Sequence, residues 1–478
     1  MSQANEHGAL AHRVLAIAIL LFALVLRCLA ISRFSLGNDE IQEVQFSRLP
    51  WNQFLRALEK DGGHPPLDFS VQAVISRAQA PEWVHRAPSV LAGVAGIALA
   101  MFLARRWFGR IASLVTGLLL ACSPIHVRYS QEVRPYALGL FMILASLAAL
   151  ERYRRQPGRA VALLWFAATL GALYTLYFAG MISVLVGMLF VFQHRKAELK
   201  PLWRALPVCI AGWALLYLPW LPFASSLARR APVADPEVLD RAWLTYRLQT
   251  LGTGDWKVES VSIGSAVFWA LVGIGLMLAS RSRFAVLAAA WLVLGGIFQV
   301  LFLQLRPHFP AVRYLLPSWL ASVFLAGFAI QLAARRRALL SLGLAGVCVV
   351  LLADLQTLRA YYDHGRPEWN SVAAYLRRNG RLGEHIVAAN GWAFRNLGFY
   401  WVDEGLGRED VPLERAGAVI AGPAWIVAAA CPMSADVRRR LDALAPMAAF
   451  PMTNHCEIRY LPVGRMLDAE GGMCLSDP

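Results

Sequence analysis

Charge is scarce in this sequence: 16% of its 478 residues are Asp, Glu, Lys or Arg, against about 25% in an ordinary soluble domain. That shortfall argues against a water-facing surface over most of the chain. Metal and redox patterns are missing as well. The seven cysteines form no CxxC pair and no Cys/His ligand spacing, which argues against a structural zinc. Cys28, Cys122, Cys209 and Cys348 fall inside apolar runs, where cysteine acts as a small hydrophobe. Cys431, Cys456 and Cys474 lie near the C-terminus, where an odd number allows one disulfide at most. No internal repeat is evident. No Arg-rich stretch is interleaved with aromatics, as a nucleic-acid surface requires, so nucleic acid is not an expected partner.

What is abundant is apolar. The chain is 58% hydrophobic with 16 Trp, and its mean hydropathy is +0.48. About 20 apolar residues cross a bilayer core. On that basis spans are expected near 14–31, 88–104, 111–126, 134–150, 161–175, 177–192, 204–223, 263–280, 284–303, 312–332 and 338–354, with the long run from 161 to 192 split near Leu176. The first run is longer than a leader's apolar region, and Arg33-Phe34-Ser35-Leu36 is no A-x-A cleavage site, so it reads as a span. The expected fold class is an all-α polytopic membrane bundle of about eleven transmembrane helices (residues 1–355, including an outer loop 32–87), followed by a small C-terminal α/β domain (356–478).

The net charge of +15 has a topological origin. Arg105, Arg106 and Arg110; Arg152, Arg154, Arg155 and Arg159; Arg195, Lys196, Lys200 and Arg204; Arg281 and Arg283; and Arg335, Arg336 and Arg337 all occupy alternate loops. Such loops are cytoplasmic by the positive-inside rule. The N-terminus is then cytoplasmic, and an odd number of spans puts the C-terminal domain on the other side. In the outer loop 32–87, Trp51, Phe54, Leu55 and Leu58 recur at helical spacing, and Leu67, Val71, Val74 and Ile75 suggest a second surface helix. In the tail, 367–376 and 434–444 read as helices, and 385–389, 425–429 and 457–462 as strands, with no Gly-rich phosphate loop or catalytic triad among them.

Four polar clusters share the outer face: Gly37-Asn38-Asp39-Glu40, His64-Pro65-Pro66, Arg128 to Tyr136, and Arg313-Tyr314-Leu315-Leu316-Pro317. Each alone has a plain structural reading. Asp39-Glu40 suits a helix N-terminus, His64 a turn, and Arg134 and Arg313 an interfacial anchor. Together they bring carboxylates, imidazole, guanidinium and phenol to one membrane face, where such groups mark a substrate site.

In this order the clusters resemble the GT-C fold glycosyltransferases that use polyprenyl-phosphate sugars, of the family-39 type: protein O-mannosyltransferases and the lipid A aminoarabinose transferase. The matching stretches are Asp39-Glu40, His64-Pro65-Pro66-Leu67, Tyr129-Ser130-Gln131-Glu132-Val133-Arg134-Pro135-Tyr136, and Arg313 to Pro317. Two departures bear on substrate choice: Asp68 stands before Phe69 where relatives have two aromatics, and Tyr174-Thr175-Leu176-Tyr177 lacks a His between its tyrosines. The resemblance implies an inverting glycosyltransferase. Its donor is a polyprenyl-phosphate-linked sugar, and its acceptor is a protein, lipid A or a glycan. It works within membrane lipids at the outer face and requires no cofactor, although Asp39 and Glu40 are carboxylates of the kind that suits a divalent ion; the Ala-, Leu- and Arg-rich composition points to a bacterium, whose inner membrane would make that face periplasmic. Asp39 is the expected base, with Glu40 as second choice or orienting partner. Arg134 and Arg313 are expected to hold the donor phosphate. His64, Tyr129, Gln131, Glu132, Tyr136 and Tyr314 are expected to line the sugar pocket. A transporter would call for broken helices and a repeat. A ligase or polymerase of lipid-linked polysaccharide shares the chemistry and stays open.

Overall fold

The computed structural model describes residues 3–61, 63–78, 80–194, 199–230, 239–254, 262–305, 312–381, 384–388, 391–407, 411, 413–415, 423–428, 446–450 and 456–461. Contacts group the chain into two units: Met1–Leu29 with Phe46–Arg359, and Ala30–Gln45 with Ala360–Pro478. In chain order the helices are α1 (Gln3–Cys28), α2 (Asn38–Arg48), α3 (Trp51–Asp61), α4 (Pro66–Arg77), α5 (Glu82–Trp107), α6 (Arg110–Cys122), α7 (Pro124–Ser130), α8 (Tyr136–Arg155), α9 (Arg159–Thr175), α10 (Tyr177–His194), α11 (Lys200–Tyr217), α12 (Leu221–Arg230), α13 (Arg241–Thr253), α14 (Ile263–Met277), α15 (Arg283–Leu305), α16 (Leu316–Ala333) and α17 (Arg337–His364). The C-terminal segment adds β1 (His385–Ala388), β2 (Leu413–Arg415), β3 (Ala424–Ala428), β4 (Pro446–Phe450) and β5 (Cys456–Leu461), with α18 (Trp369–Asn379) and α19 (Gly391–Gly398).

In the first unit, eight described helices are long and apolar enough to cross a membrane. The bent pair α6–α7 makes a ninth, and α9 and α14 are shorter apolar helices. Every span expected from the sequence has its counterpart among these, and the chain is a multi-pass membrane protein. The split near Leu176 is real: α9 ends at Thr175, Leu176 is extended (φ −152°, ψ 127°), and α10 starts at Tyr177. The core is aromatic and aliphatic, with Trp165, Trp291 and Phe324 fully buried. α16 is the central helix, with 83% of its apolar window buried against 17% for the span of α17. A helix apolar on all sides belongs in such an interior.

The two surface helices form where their spacing predicts, α3 and α4, but α4 is turned over. Phe54 and Leu58 of α3 do bury, against Phe69 and Trp220. On α4 the buried residues are Asp68, Phe69, Gln72, Ala73 and Ser76, while Val74 of the expected apolar stripe is 67% exposed. Polar groups inside and apolar ones outside suit a helix whose surroundings are lipid.

The second unit carries a mixed five-stranded sheet in the order β2-β1-β3-β5-β4. β1 pairs in parallel with both β2 and β3, and β5 runs antiparallel to β3 and β4. The helix expected at 367–376 forms as α18, and three strands fall where expected; β2 and β4 were not foreseen. The helix expected at 434–444, and Cys431 and Cys474, lie outside the described residues. Residues 30–45 group with the C-terminal unit, whereas the sequence suggests that all of 32–87 goes with the bundle. The cause is hydrogen bonding: Ser35 N–H donates to Pro367 O at 3.1 Å, Asn370 N–H to Ser35 Oγ at 2.9 Å, and Leu36 N–H to the Tyr400 hydroxyl at 2.6 Å.

Candidate active site

Three central helices share one polarity. α5 and α8 end on arginines, Arg105 and Arg106 in one and Arg152, Arg154 and Arg155 in the other, and Arg335–Arg337 follow α16. At their opposite ends lie His85 in the first turn of α5, Tyr136 at the start of α8 and Arg313 in the turn just before α16. Three of the sequence clusters therefore lie at the end of the bundle away from the basic turns.

The 128–136 cluster is placed by a break in a span. α6 and α7 meet at 64°, because Pro124 opens α7 and has no N–H to give Leu120 O one turn back. Arg27, fully buried on α1, supplies the missing donors. Its guanidinium donates to Leu120 O at 3.0 Å, Ala121 O at 3.2 Å and Ser130 Oγ at 3.3 Å, and lies 2.8 Å from His126 Nδ1. A cation at a helix C-terminus also answers the helix dipole. Gly93 on α5 makes room, since a Cβ there would sit 2.3 Å from Ser130 Oγ. Gly254 caps α13 in the left-handed conformation (φ 77°) directly against Pro124.

Around this break five of the expected residues meet. The Tyr136 hydroxyl lies 3.4 Å from His64 Nε2, with the two rings edge to face at 5.6 Å. Tyr129 packs edge-on to Tyr136 at 4.8 Å. Arg313 Cζ lies 5.8 Å from the Tyr136 ring centroid and 5.6 Å from that of Tyr314. The result is a cationic, phenol-lined corner, with ring faces holding a guanidinium in place. His64, Tyr129 and Tyr136 are all buried.

The other candidates of this unit have visible tasks. Gln131 donates to Arg27 O at 2.9 Å and Leu29 O at 2.8 Å, tying the turn to the end of α1. Glu132 accepts from Arg128 at 2.7 Å. Tyr314 O accepts from Gln299 at 2.7 Å. Arg134 is buried in the turn before α8, and its carbonyl accepts from Ser89 at 3.4 Å. Several buried polar residues of this end were missed: Asp68, Gln72, His85, Arg86 and Arg247. Gln72 and His85 bond reciprocally at 3.0 Å. Arg247 lies over Trp243 and Tyr246 on α13, which packs on α7 and the 312–315 turn. The available signal was a charged or imidazole side chain at the mouth of an apolar run, as at Arg86, and the odd acid at Asp68.

Asp39 and Glu40 lie in the second unit, in the first turn of α2. Glu40 is buried. Its Oε2 accepts from Gly37 N–H at 2.7 Å and from Arg366 Nη2 at 2.9 Å. The first bond is the reciprocal half of a capping box, which gives Glu40 a structural task at the start of α2. Among the described residues no group of three or more His, Cys, Asp or Glu is arranged to hold a metal ion.

Comparison with known proteins adds the following. A family model described as dolichyl-phosphate-mannose-protein mannosyltransferase matches residues 63–223, a stretch that includes His64 and the 128–136 cluster but neither Asp39 nor Arg313. No curated protein matches the chain. Among solved structures, ArnT from Cupriavidus metallidurans in the apo state is similar at a TM-score of 0.58 and 18% identity, over 95% of this chain and 98% of that one. The same protein bound to undecaprenyl phosphate gives 0.54 and 18%, over 93% and 97%. The Archaeoglobus fulgidus oligosaccharyltransferase, solved with zinc and sulfate, gives 0.51 and 14%, over 83% and 62%. The chain thus has the fold of the GT-C membrane glycosyltransferases, and over residues 63–223 its sequence is also similar to the mannosyltransferase family, as its motifs imply.

Proposed function

We propose that this protein is a glycosyltransferase that moves a sugar from a polyprenyl-phosphate donor to an acceptor hydroxyl, with inversion, at the periplasmic face of a bacterial inner membrane. The observation that carries the reading is the corner where Arg313, Tyr136, Tyr129 and His64 meet, at the end of the bundle away from the arginine-rich turns. Arg134 and Arg313 hold the phosphate, because guanidinium stays charged and meets phosphate oxygens in a fork. They also offset the charge that grows on the departing phosphate. A phosphate is a good leaving group, so the acceptor hydroxyl is where proton transfer is needed. Asp39 takes that proton, and Glu40 supports it. His64, Tyr129, Tyr136 and Tyr314 shape the sugar pocket, and Gln131 and Glu132 hold the turn beside it. The reaction draws on no cofactor. The N-terminus and the arginine-rich turns are cytoplasmic, and the C-terminal domain is periplasmic. The acceptor is a protein, lipid A or a growing glycan.

The test is transfer in membranes from undecaprenyl-phosphate mannose and undecaprenyl-phosphate aminoarabinose, assayed in parallel. Asp39→Asn should lower turnover by about 10²- to 10⁴-fold, the usual worth of a positioned base. Near-normal turnover would remove Asp39 from that role. Transfer from an oligosaccharide lipid but from neither single-sugar donor would favour the ligase reading.

A further inference from the structure

The C-terminal sequence offers no Gly-rich phosphate loop and no catalytic triad, yet this unit anchors Ser35, Leu36, Glu40 and Gln45 of the acidic segment 35–45. Ser35 N–H donates to Pro367 O. Ser35 Oγ lies 2.7 Å from Asn370 Oδ1 and accepts from Asn370 N–H. Leu36 N–H donates to the Tyr400 hydroxyl. Gln45 donates to Asp403 at 2.8 Å. At the centre is the Glu40–Arg366 pair, 2.9 Å long with both side chains 5% exposed.

We infer that Arg366 is a positioning residue for the transfer reaction: by pinning Glu40 it fixes the first turn of α2, and with it the carboxylate of Asp39. The inference rests on the assignment of Asp39 as base, and it gives the C-terminal unit a task, which is to hold the acid. The physical case is one of specificity over stability. A buried ion pair gains little net stability over apolar neighbours, but breaking it leaves a charge stranded. Glu40 Oε2 takes two donors, the nearby Gly37 N–H and the sequence-distant Arg366 guanidinium. A carboxylate held this way cannot rotate without losing both, and Asp39 is its covalent neighbour on the same helical turn. An interior that needed only stability would be served by apolar side chains at 40 and 366. What the pair adds is a single orientation for the start of α2.

The experiment separates positioning from folding by counting sites. Undecaprenyl phosphate binding to the full-length protein in detergent gives the number of competent donor sites and their Kd. Turnover with the two undecaprenyl-phosphate sugars above then gives kcat per site. Arg366→Gln should lower kcat per site by about 10- to 100-fold, the scale of a 1 Å misplacement, with the Kd for undecaprenyl phosphate unchanged. Arg366→Lys, which keeps the charge, should recover part of the loss. Glu40→Gln with Arg366→Gln, a neutral pair that restores a hydrogen bond, should retain more activity per site than Arg366→Gln alone. If Arg366→Gln does not accumulate, the Lys and paired variants carry the same comparison. Loss of sites with an unchanged kcat per site would overturn the inference, because Arg366 would then serve folding only. An inactive Asp39→Asn beside normal Arg366 variants would sink this inference and leave the base assignment standing. A fully active Asp39→Asn would sink the base assignment, and this inference with it.

Discussion

Replacing Arg27 by Met should destabilise the protein more than almost any other single change in the bundle. The side chain keeps a similar volume, so packing is roughly preserved and the loss is of donors. Leu120 O has no other donor in prospect, because residue 124 is proline, and Ala121 O sits at the same helix end. His126 Nδ1 and Ser130 Oγ lose a partner as well. A buried acceptor left unsatisfied costs about 1–3 kcal/mol, so two carbonyls cost roughly 2–6 kcal/mol. Part of that returns, because the mutant no longer takes a guanidinium out of water on folding. The net expectation is about 2–4 kcal/mol. Arg27→Lys should fall between, since an ammonium offers three donors from one point in place of a planar fork. The assay is equilibrium unfolding in a fixed detergent, monitored by Trp fluorescence, with Leu15→Ala on the exposed face of α1 as a neutral reference. Wild-type stability in Arg27→Met would refute the reasoning, because it would mean the break at Pro124 closes its carbonyls by some other route.

Two further expectations follow from the same geometry. Arg134→Ala should weaken undecaprenyl phosphate binding by about 10-fold or more, given the ~1.5–3 kcal/mol of a charge-assisted hydrogen bond; binding measured by competition that stays at the wild-type level would count against the phosphate clamp. Gly93→Ala should cost about 1–3 kcal/mol through overpacking, because its Cβ would press on Ser130 beside Arg27; a thermal midpoint equal to the wild type would show that the turn can move away freely.

The spans and the break at Leu176 could be read from the linear chain, because a helix in lipid satisfies its own backbone and needs only a long enough apolar run. The polarity of the bundle was legible for a related reason: arginines in short alternate loops mark one side whatever the helices pack against. The face that α4 buries was not legible. Periodicity locates an apolar stripe, but not whether water or hydrocarbon lies outside it, and Asp68 and Gln72 turn inward where Leu67 and Val71 were expected to.

The candidate site divides along the same line. That Asp39, Glu40, His64, Arg134, Tyr136 and Arg313 carry chemistry could be argued from residue type and order alone. What each side chain does depends on partners far away in the chain. Glu40 is a cap and a buried ion-pair partner because Arg366 reaches it from 326 residues on. Gln131 is a tie to α1, and Arg27, which no pattern singled out, becomes the donor that closes a broken helix. Where the apolar helices fall and which of their ends are basic could be read along the chain, since these follow from local apolar length and charge. Which polar groups are occupied with one another emerges from the fold, because hydrogen-bond satisfaction in a buried interior depends on every neighbour in space.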